Sequence, residues 1–210
     1  EKLLDYGISK QKLFLSQKLL TESYLKMMEG QFLDISFEKK SKISKGEYLK
    51  MIGLKTGALI ECSVMLGAIS SNKNLTKSDL NLISDFGKDI GLLFQIRDDI
   101  LGVWGTDKTG KPVGGDIRKK KKSLPIILTI DSDSAYEKDI NEIMNKTKIE
   151  DNDIDKFIHI MEKIGIKKKC DDIAKEYLIK IQDTISNIPT SNKYKKAFNE
   201  ITNFLMHREV

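Results

Sequence analysis

The residues of this sequence best suited to chemistry lie at 94–102 (FQIRDDILG). At about 100° per residue, one face of a helix would carry Gln95, Asp98, Asp99 and Gly102. Adjacent carboxylates repel each other when buried, so a helix that turns both inward needs a cation. Such oxygen ligands favour magnesium, which binds one or two carboxylates and completes its shell with water and substrate phosphate. An exposed acidic pair beside a basic loop has the same spacing, so spacing alone leaves both interpretations open.

A glycine- and lysine-rich segment follows directly. Its glycines at 110, 114 and 115 let backbone N–H groups approach an anion, and Lys111 and the lysine run 119–122 add positive charge. Asp116 is placed where it would extend the metal site. The two histidines, at 159 and 207, form no cluster that would favour zinc. The segment therefore predicts a metal and polyphosphate site.

Helices must position these residues. Only three prolines occur and apolar residues recur at three- and four-residue spacing, so the sequence predicts an all-α fold. Capping boxes are expected at Ser44–Glu47, Thr76–Asp79 and Ser134–Glu137. The predicted helices span residues 10–39, 44–68, 76–104, 123–130, 135–145, 154–164, 166–188 and 192–207, with a loop at 105–116.

Length and composition restrict the class of protein. A chain of 210 residues with 40% hydrophobic and 32% charged residues and a net charge of +5 predicts one globular domain over residues 1–210. Apolar runs such as 124–128 (LPIIL) are far shorter than the roughly 18 to 20 residues of a membrane-spanning helix, so we expect no integral membrane segment. Cys62 and Cys170 form no pairing motif and are predicted to be buried thiols.

Several segments resemble one enzyme family. Residues 94–101 (FQIRDDIL), 109–117 (TGKPVGGDI) and 121–125 (KKSLP) closely resemble the second aspartate-rich region of trans-type isoprenyl diphosphate synthases. Upstream, similar family motifs occur in the family's order: GQFLDI from Gly30, YLKMI from Tyr48 and KTGAL from Lys55. The resemblance implies an all-α isoprenoid synthase bundle that joins an allylic diphosphate to isopentenyl diphosphate with the help of Mg2+.

The resemblance also implies roles for individual residues. Asp98 and Asp99 would hold magnesium, with Asp116 in support. The allylic diphosphate would be contacted by three lysines: Lys55, Lys111 and Lys121. Thr56 and Gln95 would line the reaction centre near the cation, and Gln31 would face it from the neighbouring helix.

Other polar and aromatic residues are predicted to have no such role. We interpret Lys119, Lys120 and Lys122 as a solvated lysine run. Trp104, His159 and His207 are interpreted as packing or surface residues.

Two departures from the family pattern affect the interpretation. The position of Gly102 is a third aspartate in the commonest form of the motif, so one possible carboxylate is absent from the metal face. No counterpart of the family's first aspartate-rich motif precedes Gly30, and the match covers about the C-terminal two-thirds of a family domain. The sequence therefore predicts a bundle without its N-terminal helices, and very little activity for residues 1–210 alone.

Alternatives remain open from the sequence. The main one is a non-catalytic or regulatory subunit of a heteromeric prenyl diphosphate synthase. Terpene-forming and head-to-head prenyl-coupling enzymes lack the GKPVGGD loop, and a nucleic-acid-binding surface would carry aromatics and arginine among its lysines. We expect a homodimer through the first helix, no nucleic-acid partner, and a cytoplasmic location, with an organelle as the other possibility.

Overall fold

The computed structural model describes residues 9–71, 74–105, 112–132 and 134–208. Within these ranges the regular elements are all helical, so the predicted all-α fold is confirmed. The helices are α1 (Lys10–Glu38), α2 (Lys45–Ile52), α3 (Ala58–Ser70), α4 (Lys77–Trp104), α5 (Gly115–Arg118), α6 (Leu124–Ile130), α7 (Glu137–Asn145), α8 (Asp151–Lys163), α9 (Ile166–Asn187) and α10 (Asn192–His207). A π-helical turn, Gly53–Gly57, joins α2 to α3.

Helix α4 lies at the centre of the bundle, packed between α3 on one side and α9 on the other. Its start is fixed by the predicted capping box, in which Thr76 and Asp79 satisfy each other's backbone N–H groups. Leu93 and Ile96 on this helix are completely buried. The helix that carries the acidic pair is therefore the most enclosed of the long helices, which gives the pair a rigid support.

The remaining long helices pack on either side of this centre. Helix α1 packs against α3 and the π-helical turn, and α2 begins at the predicted Ser44–Glu47 capping box. Helix α10 returns along α9 and α4 and closes the other side, where the rings of Phe86 and Phe198 lie 4.9 Å apart. This arrangement places the π-helical turn beside α4, where Thr56 reaches Gln95.

By length and composition, the segment Lys45–Ser70 would be able to cross a membrane, with a mean hydropathy of 1.5 over its most apolar stretch. The count of unbroken apolar residues overlooked this segment because charged residues interrupt it. A core helix of a helical bundle passes the same test, but only 22% of this apolar stretch is buried. Here the segment packs between α1 and α4, and Lys55 in its middle pairs with a carboxylate.

Some helix boundaries differ from the sequence prediction. The predicted Ser134–Glu137 capping box is wrong: α7 has Tyr136 at its N-cap position without a side-chain cap, and Ser134 accepts a hydrogen bond from the Tyr136 N–H instead. Helix α8 starts three residues earlier than predicted, because Glu150 and Asp153 form a capping box there. Part of the predicted loop at 105–116 is helical, since α5 begins at Gly115.

Helix α1 presents a broad apolar face that no described residue covers. Phe32 on this face is 70% exposed. The other large exposed apolar residues of the helix are Phe14, Leu15, Leu20, Tyr24, Leu25, Met28 and Ile35. Of the stripe predicted for the first helix, Leu20, Tyr24, Met28 and Ile35 face outward, whereas Phe37 is buried and Leu33 packs against the core.

Candidate diphosphate and metal site

The π-helical turn is the element that brings the predicted site residues of the second helix to α4. Its backbone touches both neighbouring helices at glycines: a Cβ atom on Gly30 of α1 would overlap the Lys55 backbone, and one on Gly91 of α4 would lie 2.5 Å from the Gly57 Cα. Side chains at these positions would push the helices apart. Short π-helical turns often occur at functional sites, and this one carries Lys55 and Thr56.

Polar side chains form a continuous chain from the turn to the acidic pair. Thr56 Oγ1 donates a hydrogen bond to Gln95 Oε1 at 2.8 Å, and Gln95 Nε2 donates to Asp99 Oδ1 at 3.0 Å. Lys55 Nζ lies 2.5 Å from Asp34 Oδ2 on α1. The structure therefore links Thr56, Gln95 and Asp99 by hydrogen bonds, whereas the Lys55 ammonium is directed to α1.

Asp99 is 1% exposed and accepts four hydrogen bonds. Gln95 Nε2 and Lys121 Nζ bind Oδ1 at 3.0 and 2.9 Å. The Tyr48 hydroxyl and the Leu124 backbone N–H bind Oδ2 at 2.7 and 3.1 Å. These donors compensate the cost of burying the carboxylate.

Lys121 links Asp99 to Asp116. Its ammonium lies 3.5 Å from Asp116 Oδ2, and the two carboxylates raise the pKa of the lysine against the opposing effect of burial. Burial raises the pKa of the Asp116 carboxyl, although the charge of Lys121 acts in the opposite direction. Two carboxylates and one ammonium leave this cluster with a net negative charge, which favours a further cation.

Gly102 makes room for Asp116. A Cβ atom on Gly102 would overlap the Asp116 carboxylate. The Asp116 carboxylate, which enters from α5, occupies the space beside α4 into which a side chain at position 102 would extend.

Asp98 faces a different side of α4 from Asp99. Its side chain is 27% exposed, and its Oδ1 lies 3.5 Å from the Arg208 guanidinium at the end of α10. Arg208 also stacks 4.4 Å from the Phe94 ring centre and donates to the Phe94 carbonyl. The adjacent Asp98 and Asp99 thus have separate environments, whereas the helical spacing had predicted one shared face.

The remaining predicted residues have varied surroundings. Lys111 lies outside the described residues. Gln31 is exposed on α1. Lys119 is exposed, and Lys120 and Lys122 donate to backbone carbonyls away from the acidic pair, which agrees with a lysine run outside the site.

The residues predicted to lack a role are at the surface or in packing contacts. His159 and His207 are exposed, and the Lys167 ammonium lies over the Trp104 ring. Cys62 and Cys170 are free and buried, as expected.

Sequence reasoning missed two partners of the site. Tyr48 and Asp34 were part of recognised motifs, but neither was assigned to the site. Tyr48 reaches Asp99 on α4, whereas Lys55, seven residues later in the π-helical turn, pairs with Asp34 on α1. Spacing alone does not reveal that the Tyr48 hydroxyl reaches a carboxylate 51 positions along the chain.

Comparison with known proteins identifies the family. The polyprenyl synthetase family model matches residues 7–161. The chain is 31% identical to the geranylfarnesyl diphosphate synthase of Aeropyrum pernix, over 97% of this chain and 63% of that one. It is 34% identical to the geranylgeranyl diphosphate synthase of Saccharolobus solfataricus, over 86% of this chain and 54% of that one.

The fold agrees with the sequence relatives. The crystal structure of geranylgeranyl pyrophosphate synthetase from Pyrococcus horikoshii superposes with a TM-score of 0.85 and 31% identity, over 96% of this chain and 61% of that one. The chain thus spans less than two thirds of the length of these relatives. By its sequence motifs, its helical architecture and these matches, the chain belongs to the polyprenyl synthetase family, within the all-α isoprenoid synthase fold.

Proposed function

We propose that this chain carries the allylic-diphosphate site of a prenyltransferase that condenses an allylic diphosphate with isopentenyl diphosphate to give a longer trans-prenyl diphosphate. The observation that carries the proposal is the hydrogen-bonded chain from Thr56 through Gln95 and Asp99 to Lys121, and Lys55 lies on the same π-helical turn as Thr56. The relatives are named as diphosphate synthases, so a non-catalytic subunit is not favoured.

Mg2+ fits the carboxylates of this site. Asp116 Oδ2 is buried, lies 3.5 Å from the Lys121 ammonium and accepts no hydrogen bond from the described residues, and Asp98 on α4 is partly exposed. Within the described residues no group of three metal-binding side chains is close enough to form a complete cage. Magnesium commonly uses one or two carboxylates with substrate phosphate. Of the predicted set, Asp98 and Asp116 would hold the ion, which when bound neutralises charge on the leaving diphosphate.

The protein residues act by charge and position. Lys55 and Lys121 would stabilise the diphosphate as the allylic C–O bond breaks and its electron pair leaves with the diphosphate. The hydroxyl and amide dipoles of Thr56 and Gln95 would face the resulting allylic cation. The double bond of isopentenyl diphosphate then forms the new C–C bond, and loss of a proton to a diphosphate oxygen completes the reaction.

An apolar cavity of about 640 Å³ lies along the same helices, toward the start of α4. Its size is within the usual range for small-molecule sites. Val64, Ile83, Phe86 and Phe198 are among its lining residues, and Gly67 and Ala68 leave space on α3. The cavity supports the proposal because a prenyl chain needs a dry apolar surface.

Binding of inorganic pyrophosphate to the 210-residue chain tests the site. We expect Lys121→Met to raise the dissociation constant at least tenfold in calorimetry, because the variant loses a charge-assisted contact. Lys119→Met is the matched control, since Lys119 belongs to the same run but is exposed. Equal effects of the two substitutions would show that the chain attracts pyrophosphate only through its overall charge.

Activity requires a prenyl transfer assay with an allylic diphosphate and labelled isopentenyl diphosphate. We propose that residues 1–210 alone incorporate very little isopentenyl diphosphate compared with a family member of full length. Full activity of the 210-residue chain would contradict this. The reaction is proposed to take place in the cytoplasm.

We also propose that the protein forms a homodimer through the exposed apolar face of α1. Burial of side chains such as Phe32 against a second copy would remove a large apolar surface from water. Light scattering of the intact protein would give twice the chain mass, and Leu20→Asp would shift it to a monomer. A monomeric mass for the unmodified protein refutes the dimer.

A further inference from the structure

Asp99 differs from Asp116 in how fully its oxygens are hydrogen-bonded. An ionised carboxylate has about four lone-pair positions. In Asp99 all four are used, by donors from α2, α4, α6 and the segment after α5. Its oxygens therefore have no lone pair directed at a metal, whereas Asp116 Oδ2, 3.5 Å from the Lys121 ammonium, accepts no hydrogen bond from the described residues.

The two oxygens of Asp99 accept hydrogen bonds from different donors. Tyr48 and the Leu124 N–H hold Oδ2, and the opposite oxygen, Oδ1, receives the Lys121 ammonium. Because two donors converge on Oδ2, the carboxylate plane is fixed. The ammonium is then held at one place while the Lys121 side chain remains 32% exposed, toward the outside of the bundle.

We infer that Tyr48 is a positioning residue of this site: its hydroxyl fixes Asp99, and Asp99 anchors the Lys121 ammonium where it meets a diphosphate. The inference rests on the proposed function, in which Lys121 is a diphosphate ligand. Asp99 is then an anchor for a lysine, and metal binding falls to Asp98 and Asp116.

The phenol suits this role chemically. Tyr48 is fully buried, and burial together with the neighbouring Asp99 raises its pKa well above the usual value. A neutral phenol has one O–H donor, which here is directed at Asp99 Oδ2. A phenylalanine would fill the same space but would leave Oδ2 with only the backbone N–H.

Anchoring of Lys121 is measurable without any ligand. A lysine ammonium held by buried carboxylates exchanges its protons slowly enough to give a side-chain 1H–15N signal, which Lys121→Arg identifies by its loss. We expect Tyr48→Phe to speed this exchange on the order of tenfold, the effect of losing one hydrogen bond to a charged group. Tyr177→Phe on α9 is the matched control, and circular dichroism verifies that both variants are folded.

A double-mutant cycle on pyrophosphate binding tests the path through Lys121. We expect Tyr48→Phe to weaken binding three- to tenfold in the unmodified background and to have no further effect in Lys121→Met. If Tyr48 had a purely structural role, Tyr48→Phe would weaken pyrophosphate binding by the same factor in both backgrounds.

The outcomes separate this inference from the proposed function. Unchanged ammonium exchange in Tyr48→Phe, or additive effects in the cycle, would overturn the positioning role even if pyrophosphate binds well. Failure of the unmodified chain to bind pyrophosphate would count against the proposed function, while faster exchange in Tyr48→Phe would still establish the anchoring.

Discussion

At the scale of single residues, neighbouring acids in the sequence have different chemical environments. Asp99 is enclosed by four donors, whereas the next residue along the helix, Asp98, is partly exposed beside an arginine. The residue types and their order identified this region from sequence. The separation of the pair was not predictable, because it depends on Tyr48 and Arg208, which are distant in the chain.

Gly102 offers a direct test at this scale. Restoring the family's commoner aspartate with Gly102→Asp should destabilise the protein by about 1–3 kcal/mol, because the new side chain overlaps Asp116 in a packed site. We also expect weaker binding of Mn2+, used as a magnetic probe for Mg2+, since Asp116 is displaced. Urea unfolding and paramagnetic titration measure the two effects.

Gly67→Ala is the control for that substitution. Gly67 is also a helical glycine, but a Cβ atom there meets nothing within 4 Å. Gly67→Ala should leave the free energy of unfolding unchanged or raise it by up to about 1 kcal/mol. Tighter Mn2+ binding in Gly102→Asp would mean that the aspartate adds a ligand and that Asp116 is not its substitute.

At the scale of elements, helix positions were largely predictable and their interruptions were not. Capping boxes placed the starts of α2 and α4, because those signals are local. The π-helical turn was predicted as ordinary helix: its residues, GLKTG, carry no local signal for an inserted residue. It exists because Gly30 and Gly91 allow α1 and α4 to approach the backbone of the turn.

The turn can therefore be disturbed from the neighbouring helix. Gly91→Ala places a Cβ 2.5 Å from Gly57, so we expect it to destabilise the fold by about 1–3 kcal/mol and to weaken pyrophosphate binding. Gly53→Ala, whose Cβ would make an ordinary 3.7 Å contact with Leu92, should have little effect on either. Equal responses of the two variants would contradict the role assigned to the close contact.

The α2 capping box predicts a pH dependence. Hydrogen bonds from Ser44 lower the pKa of the Glu47 carboxyl from 4.5 to about 2. A lowered pKa in the folded state gives stability that is complete above pH 4.5 and is lost as the pH falls toward 2. Glu47→Gln retains the capping geometry without titrating.

The difference in unfolding free energy between the unmodified protein and Glu47→Gln should therefore shrink between pH 4.5 and 2. Urea unfolding across this range measures it. A difference that stays constant across the range would show that the carboxylate charge adds nothing to the cap.

At the scale of the whole molecule, the diphosphate site and the apolar cavity lie along the same pair of helices. Gln95 and Phe86 are nine residues apart on α4, which corresponds to about 14 Å along the helix axis and about two and a half turns, so their side chains leave opposite sides of the helix. A prenyl chain with its diphosphate near Lys121 would have to pass around α4 to reach the cavity.

This arrangement predicts that the cavity can be filled without affecting the charged end. Gly67→Leu places a side chain into the open space before Gly67, and displacement of even a few CH2 groups, at about 0.8 kcal/mol each, should weaken binding of farnesyl diphosphate at least tenfold. Inorganic pyrophosphate, which has no hydrocarbon chain, should bind Gly67→Leu as well as it binds the unmodified protein.

Calorimetric titration with both ligands measures this difference, and Gly46→Leu, at an exposed helical position outside the cavity, controls for the added leucine. Because the two ligands share the diphosphate, their comparison separates the apolar end from the charged end. If Gly67→Leu weakens both ligands equally, the substitution acts on the bundle as a whole. If it weakens neither, the hydrocarbon chain follows another path from Lys121, along the uncovered face of α1.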